Sequence, residues 1–213
     1  MPKTKMPHPT GYHHGNLREA LIDAAVQLVE EGGAEKASVR EAAKRAGVSP
    51  GAPFRHFNNK TALMTAVAEQ AMGRLTEIVA TAQMNVDANE PIAVFEAIGV
   101  GYLQWALAHP THFEIINSRT LIDFEASESL RAQNEAIRQR MIDLLTLARD
   151  RSQLAEGLDF DHLVLAARAL VYGLARMAID NHFPRWHASE PPPQAMRLAL
   201  RLFIRQITAH CAT

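Results

Sequence analysis

Apolar positions recur every three to four residues in one segment after another, the signature of helices packed by one face, which predicts an all-α chain. Leu17, Leu21, Ala24, Ala25 and Leu28 form one such stripe. It is opened by a capping box of Asn16 with Glu19 and stopped at Gly32-Gly33. Leu63, Val67, Ala71, Leu75, Ile78 and Val79 keep helical spacing from Asn59 to about Gln83, and Asp87 to Glu90 reads as a turn. Pro91 begins a helix to about Ala108, with Val94, Phe95, Ile98, Tyr102, Trp105 and Ala106 inside. His109-Pro110 breaks it, and a short helix runs from Pro110 to about Asn117. Ser127 opens a helix to about Arg151, its stripe Leu130, Ile137, Met141, Leu144 and Leu145 facing in and Arg131, Glu135, Arg138 and Arg140 facing out. Asp161 to Phe183 and Pro192 to His210 are the last two helices, about nine in all.

One stretch breaks this rhythm. In Ser38–Phe57, Ser38 with Glu41 makes a second capping box, and Ala42, Ala43 and Ala46 give the helix a small-residue face. Gly47 suits the left-handed position that ends it, and Val48 fills the corner. Ser49 caps a second helix with Pro50 at its first position, running to about His56, with Phe57 in the core. A start, a stop and a restart this close describe a helix-turn-helix.

Charge changes the picture in that stretch. From Lys36 to Lys60 there are six basic residues (Lys36, Arg40, Lys44, Arg45, Arg55, Lys60) against Glu41 alone. Residues 1–60 sum to +3 in a chain of net charge −1, an electrostatic footprint for nucleic acid. Arg55 and His56 can donate to bases or phosphates, and Gly51 and Ala52 let the backbone approach closely. The ammonium of Lys60 and the N-terminal N–H groups of the next helix can share a phosphate. Residues 1–10, rich in proline, histidine and lysine, read as a flexible arm. With 47% apolar and 21% charged residues the 213-residue chain suits a small domain followed by a larger one. The single Cys211 precludes an internal disulfide. The apolar run Leu163–Ile179 is interrupted by Arg168 and Arg176, against a membrane span.

Candidate chemistry is sparse. The histidine pairs His13-His14, His109 with His112, His182 with His187, and His210-Cys211 lack a third ligand at a recognised spacing, so no metal is expected. Gly99-Val100-Gly101 lacks a third glycine and a preceding strand. Asp159 with Asp161, and Asp123 with Glu125, read as caps and loop charges. No nucleophile has a plausible base, so no catalytic residue and no cofactor are expected.

The segment Gly47–Phe57 followed by Asn59-Lys60-Thr61-Ala62-Leu63 resembles the DNA-binding signature of TetR-type transcriptional regulators. The lead-in Gly11-Tyr12-His13-His14-Gly15-Asn16-Leu17-Arg18-Glu19-Ala20-Leu21 is similar to the arm and first helix of one subgroup. His109–Phe113 and Val171–Ala175 resemble segments of that subgroup's C-terminal domain. The resemblance implies a DNA-binding domain over 11–58, contacting DNA through Ser38, Arg40, Lys44, Ser49, Gly51, Ala52, Phe54, Arg55, His56 and Lys60. Phe54 departs from the family's usual tyrosine and loses a hydroxyl that would donate to phosphate. A ligand-binding and dimerisation domain over 59–213 is implied as well. Its pocket would be lined by Phe95, Tyr102, Trp105, Phe113, Ile116, Phe124, Met141 and Tyr172. The last two helices would form a two-fold four-helix interface through Leu163, Ala167, Leu170, Leu174, Leu198 and Leu202.

The expectation is a cytoplasmic homodimeric repressor with no membrane partner, reading a palindromic double-stranded DNA operator whose half-sites lie roughly 34–36 Å apart. No buried charge stands out near the pocket residues, so a small apolar or amphipathic effector is expected to release it, acting through the helix Asn59–Gln83. Two alternatives stay open. One is a ligand-binding or scaffold protein with a vestigial helix-turn-helix. The other is a metal-dependent helical-bundle enzyme using His109 and His112.

Overall fold

The structure, a computed structural model, describes residues 17–186 and 189–208. The expected arm, the Asn16 cap, His13-His14, His187 and His210-Cys211 lie outside those residues. Among the described residues there are eight α-helices, three short 3₁₀-helices and one isolated antiparallel bridge, Leu154 with Thr208. The chain divides into two compact units, the first ending at Met64 and the second beginning at Thr65.

In the first unit α1 (Leu17–Gly32) buries Leu21, Ile22, Ala24, Ala25, Val26 and Leu28. Gly33, at φ 78°, turns the chain into a 3₁₀-helix, Ala34–Lys36. The Ser38 hydroxyl then accepts from Glu41 N at 3.1 Å and starts α2 (Val39–Arg45). Gly47, at φ 70°, closes α2 in the left-handed conformation, with Val48 N donating to Ala43 O at 3.0 Å. The second helix of the motif differs from expectation. It is a single 3₁₀-helix, Ala52–Arg55, capped by Gly51 rather than by the Ser49 side chain. Ser49 contributes its carbonyl, which accepts from Ala52 N at 3.1 Å. Pro53 explains the shortness: its missing N–H and ring disfavour a full α-turn through this segment, and the proline is buried instead. Phe57 is core, as its position predicts.

α3 (Lys60–Met84) begins at an Asn59 cap, whose Oδ1 accepts from Ala62 N at 2.8 Å, and most of its length belongs to the second unit. There α4 (Pro91–Ala108) is the hub, packed on α6 (Glu128–Asp150), α7 (Phe160–Ile179) and α8 (Pro192–Ile207), with α5 (Pro110–Ile116) following it. A helix covered on several sides must be apolar nearly all round, and α4 is. At Gly101 the backbones nearly touch: a Cβ there would lie 2.8 Å from Val79 Cα of α3. α7 ends at Ile179, before the expected Phe183, because Asn181 adopts φ 54° and His182 N donates to Met177 O at 2.8 Å, a left-handed closure. Phe183–Trp186 is a separate 3₁₀-helix. α4 and α7 are long and apolar enough to cross a membrane by composition, but α4 is mostly buried and α7 carries Arg168 and Arg176.

Candidate nucleic-acid interface and ligand cavity

In the first unit α2 and the segment between α2 and α3 leave Arg40, Lys44, Ser49, Gly51, Arg55 and His56 exposed, with Ser38 and Ala52 half-buried. Ser49, Ala52, Arg55 and His56 border one shallow hollow of about 440 Å³, together with Leu17, Gly47 and Val48. The Phe54 ring is 42% exposed, although it is apolar. Two cations of the basic stretch are already engaged. Arg45 makes a two-armed ion pair with Glu31 of α1, at 2.6 and 2.5 Å, which raises the guanidinium's pKa and lowers the carboxyl's. Lys60, expected at a phosphate, donates to Ala34 O at 2.5 Å and is half-buried. The exposed basic face therefore reduces to Lys36, Arg40, Lys44 and Arg55, with His56 beside them.

The second unit holds a half-open cavity of about 350 Å³, near the lower end of ligand-site volumes. Six of the eight expected pocket residues line it: Phe95, Tyr102, Trp105, Ile116, Phe124 and Met141. Phe113 and Tyr172 do not. Phe113 is fully buried, against Tyr102 and Trp105 on one side and stacked on Tyr172 at 5.6 Å on the other, so the two aromatics buttress the wall from outside. The charged groups on the lining are exposed or half-buried, and none is buried. Arg138, Arg168 and Asp161 lie on the lining, with Asn117 and Asn134. Arg138, expected to face out, is half-buried and ion-paired with Glu135 at 3.0 Å and with Asp161. Arg168 has no ion-pair partner among the described residues, and its guanidinium lies 4.5 Å from the centre of the Tyr102 ring. An arginine in the middle of an otherwise apolar helix was the available signal for it.

Two donors in this lining have no acceptor: Tyr102 Oη and Trp105 Nε1 are both buried without a hydrogen-bond partner. Burial pushes the Tyr102 hydroxyl's pKa up, opposed by the nearby Arg168 and Asn117, neither of which is in hydrogen-bond geometry to it. Next to the cavity, His109 and His112 stand edge to face at 5.7 Å. His112 Nε2 lies 3.5 Å from Arg74 Nη1 and 3.4 Å from Gln70 Oε1. Among the described residues no three His, Cys, Asp or Glu side chains are grouped to hold a metal ion.

The expected dimer residues divide. Leu163 and Ala167 are buried within the chain, because they lie on the side of α7 that packs on α4. Leu170 and Leu174 are half-buried. Leu198 and Leu202 of α8 are 45% and 53% exposed, and Leu165 and Ala169 lie on the outer face of α7. Of the α7 residues expected at the interface, Leu170 and Leu174 keep part of their surface, and Leu163 and Ala167 do not.

The model of bacterial regulatory proteins of the tetR family matches residues 21–67, and that of the tetracyclin repressor-like C-terminal domain matches residues 95–203. The fatty acid metabolism regulator protein of Bacillus subtilis (strain 168) is 26% identical over 177 residues, covering 78% of this chain and 81% of that protein. A Rhodococcus sp. RHA1 protein of unknown function superposes with a TM-score of 0.79 at 27% identity, covering 94% of this chain and all of that one. The transcriptional regulator FadR of Bacillus subtilis, solved in complex with stearoyl-CoA, gives a TM-score of 0.70 at 16% identity over 89% of this chain and 98% of its own.

Proposed function

This chain belongs to the tetR family of bacterial regulatory proteins and is a DNA-binding transcriptional regulator, and from that premise we propose that it is a repressor released by a small amphipathic molecule held in the second unit. The observation that carries this reading is the cavity, about 350 Å³ of mostly apolar lining, in the same chain as an exposed basic helix-turn-helix. The relative from Bacillus subtilis regulates fatty acid metabolism by its name, and FadR was captured with an acyl thioester, which supports a lipid-like effector here.

On this reading Arg40, Lys44, Arg55 and His56 meet the phosphates and base edges of one half-site, and a second copy of the chain meets the other. The copies associate through the outer faces of α7 and α8, where Leu165, Leu198 and Leu202 leave apolar surface exposed. The effector binds more tightly to the conformation that binds DNA less well, so each ligand weakens the other by the same factor. A cytoplasmic location follows from the proposed target.

Selection of genomic DNA fragments by the purified protein, followed by titration of the winner across salt concentrations, tests this. A palindromic winner whose affinity falls steeply with salt is the expected result. No enrichment and no binding at low salt would leave the cavity as a ligand store and remove the regulatory reading.

A further inference from the structure

The cavity's polar groups are arranged for a particular kind of head group. Its lining is mostly apolar, yet Tyr102 Oη and Trp105 Nε1 are buried there with nothing to donate to. Leaving a buried donor unsatisfied costs about 1–3 kcal/mol, a cost normally met only where something fills the place. The two rings are 5.7 Å apart, Tyr102 is 5% exposed and Trp105 fully buried. The third donor is Arg168, its guanidinium against the Tyr102 ring. It differs from its neighbour Arg138, whose charge is matched by Glu135 and Asp161. Arg168 has no carboxylate among the described residues. A hydroxyl, an indole N–H and a cation without a carboxylate partner share one lining with Asp161, whose charge is already paired with Arg138, and with the neutral amides of Asn117 and Asn134.

We propose that the effector is a carboxylate-bearing amphipath whose head accepts from Tyr102 and Trp105 and is charge-paired by Arg168. Its body lies against Leu75, Phe95 and Met141. The inference rests on the reading of this cavity as the effector site and adds the chemical class. An ionised carboxylate is acceptor-only and offers about four lone-pair sites, enough for three donors. Size sets the rest: at about 30 Å³ for each water-sized group, the cavity holds about a dozen non-hydrogen atoms. That is the size of a medium-chain acid.

Calorimetric titration of the full-length protein with decanoate, and with decanol as the same tail lacking the charge, tests the proposal. Decanoate is expected to bind at least about tenfold more tightly than decanol. Tyr102→Phe and Arg168→Gln are each expected to weaken decanoate by about tenfold or more and leave decanol unchanged. Tyr102→Phe keeps the packed ring, and Arg168 is exposed, so circular dichroism and thermal melting are expected to match the parent. Equal affinity for both probes, wild-type decanoate affinity in both variants, or no binding of either probe would each overturn the proposal. The DNA assay separates this from the broader reading. Decanol releasing DNA as well as decanoate sinks the carboxylate and keeps the switch. Decanoate binding that follows Tyr102 and Arg168 but leaves DNA affinity unchanged keeps the carboxylate site and sinks the switch.

Discussion

Phe54 keeps 42% of its surface in solvent at the corner where the first unit is expected to meet a phosphate backbone. Its ring lacks only a hydroxyl to become a donor there. Phe54→Tyr is therefore expected to tighten operator binding by about two- to tenfold without altering sequence preference, measured by fluorescence anisotropy. An unchanged affinity would place residue 54 away from the DNA. His109 gives the second expectation at this scale. Burial, helped by the charge of Arg74, holds its pKa below 6.5. The folded chain thus binds that proton less well than the unfolded chain, so stability is full above pH 6.5 and is lost as the pH falls through the folded value. The melting temperature of the parent should drop on acidification more than that of His109→Gln, and identical pH profiles would assign the loss to other groups. Residue by residue, the sequence was legible where a side chain acts through its neighbours in the chain, as Ser38 and Gly47 do. It was silent where a partner is distant in sequence. Nothing local says that Lys60 is occupied by Ala34 O or that Arg168 lies on Tyr102.

Helix boundaries follow the same division. The start of α6 was readable from Ser127, and the structure adds why that residue matters beyond capping. Its hydroxyl accepts from Leu130 N at 3.2 Å while donating to Glu69 Oε1 of α3 at 2.8 Å. Ser127→Ala removes both bonds at a buried position and is expected to cost about 1–2 kcal/mol, seen as a lowered denaturation midpoint with an unchanged slope. A variant as stable as the parent would show that water replaces the hydroxyl. The ends of helices were harder to read. α2 stops at a glycine, but α6 and α7 stop where Ser152 and Asn181 take the left-handed conformation at φ 56° and 54°. A non-glycine residue in that conformation carries a weak sequence signal, so α7 was expected to run four residues too far. The second helix of the helix-turn-helix is shorter than its opening signals suggest, because Pro53 limits the segment to one 3₁₀-helix.

For the whole molecule, the helical period alone made the all-α class legible, and the basic bias of the first 60 residues pointed to its DNA-binding end. Phase was not legible. A helix apolar on two sides does not say which side meets its own core, and on α7 Leu163 and Ala167 turned out to be inside. The association surface is accordingly assigned to residues left exposed. Leu202→Glu, at a side chain 53% exposed, is expected to leave the fold intact and convert dimers to monomers by light scattering. Affinity for a palindrome should fall by about 100-fold or more as the second half-site contact is lost. A variant that stays dimeric would move the interface off α8. The near-contact at Gly101 has a consequence for how such a protein can diverge. Side chains on the cavity wall can be exchanged one at a time, since each exchange alters only the shape of a space. A methyl at position 101 would instead drive into the backbone of Val79, which no rotamer change relieves. New ligand preferences are therefore open to gradual drift through the lining, while the crossing of α3 over α4 is a locked joint that any such lineage must inherit unchanged.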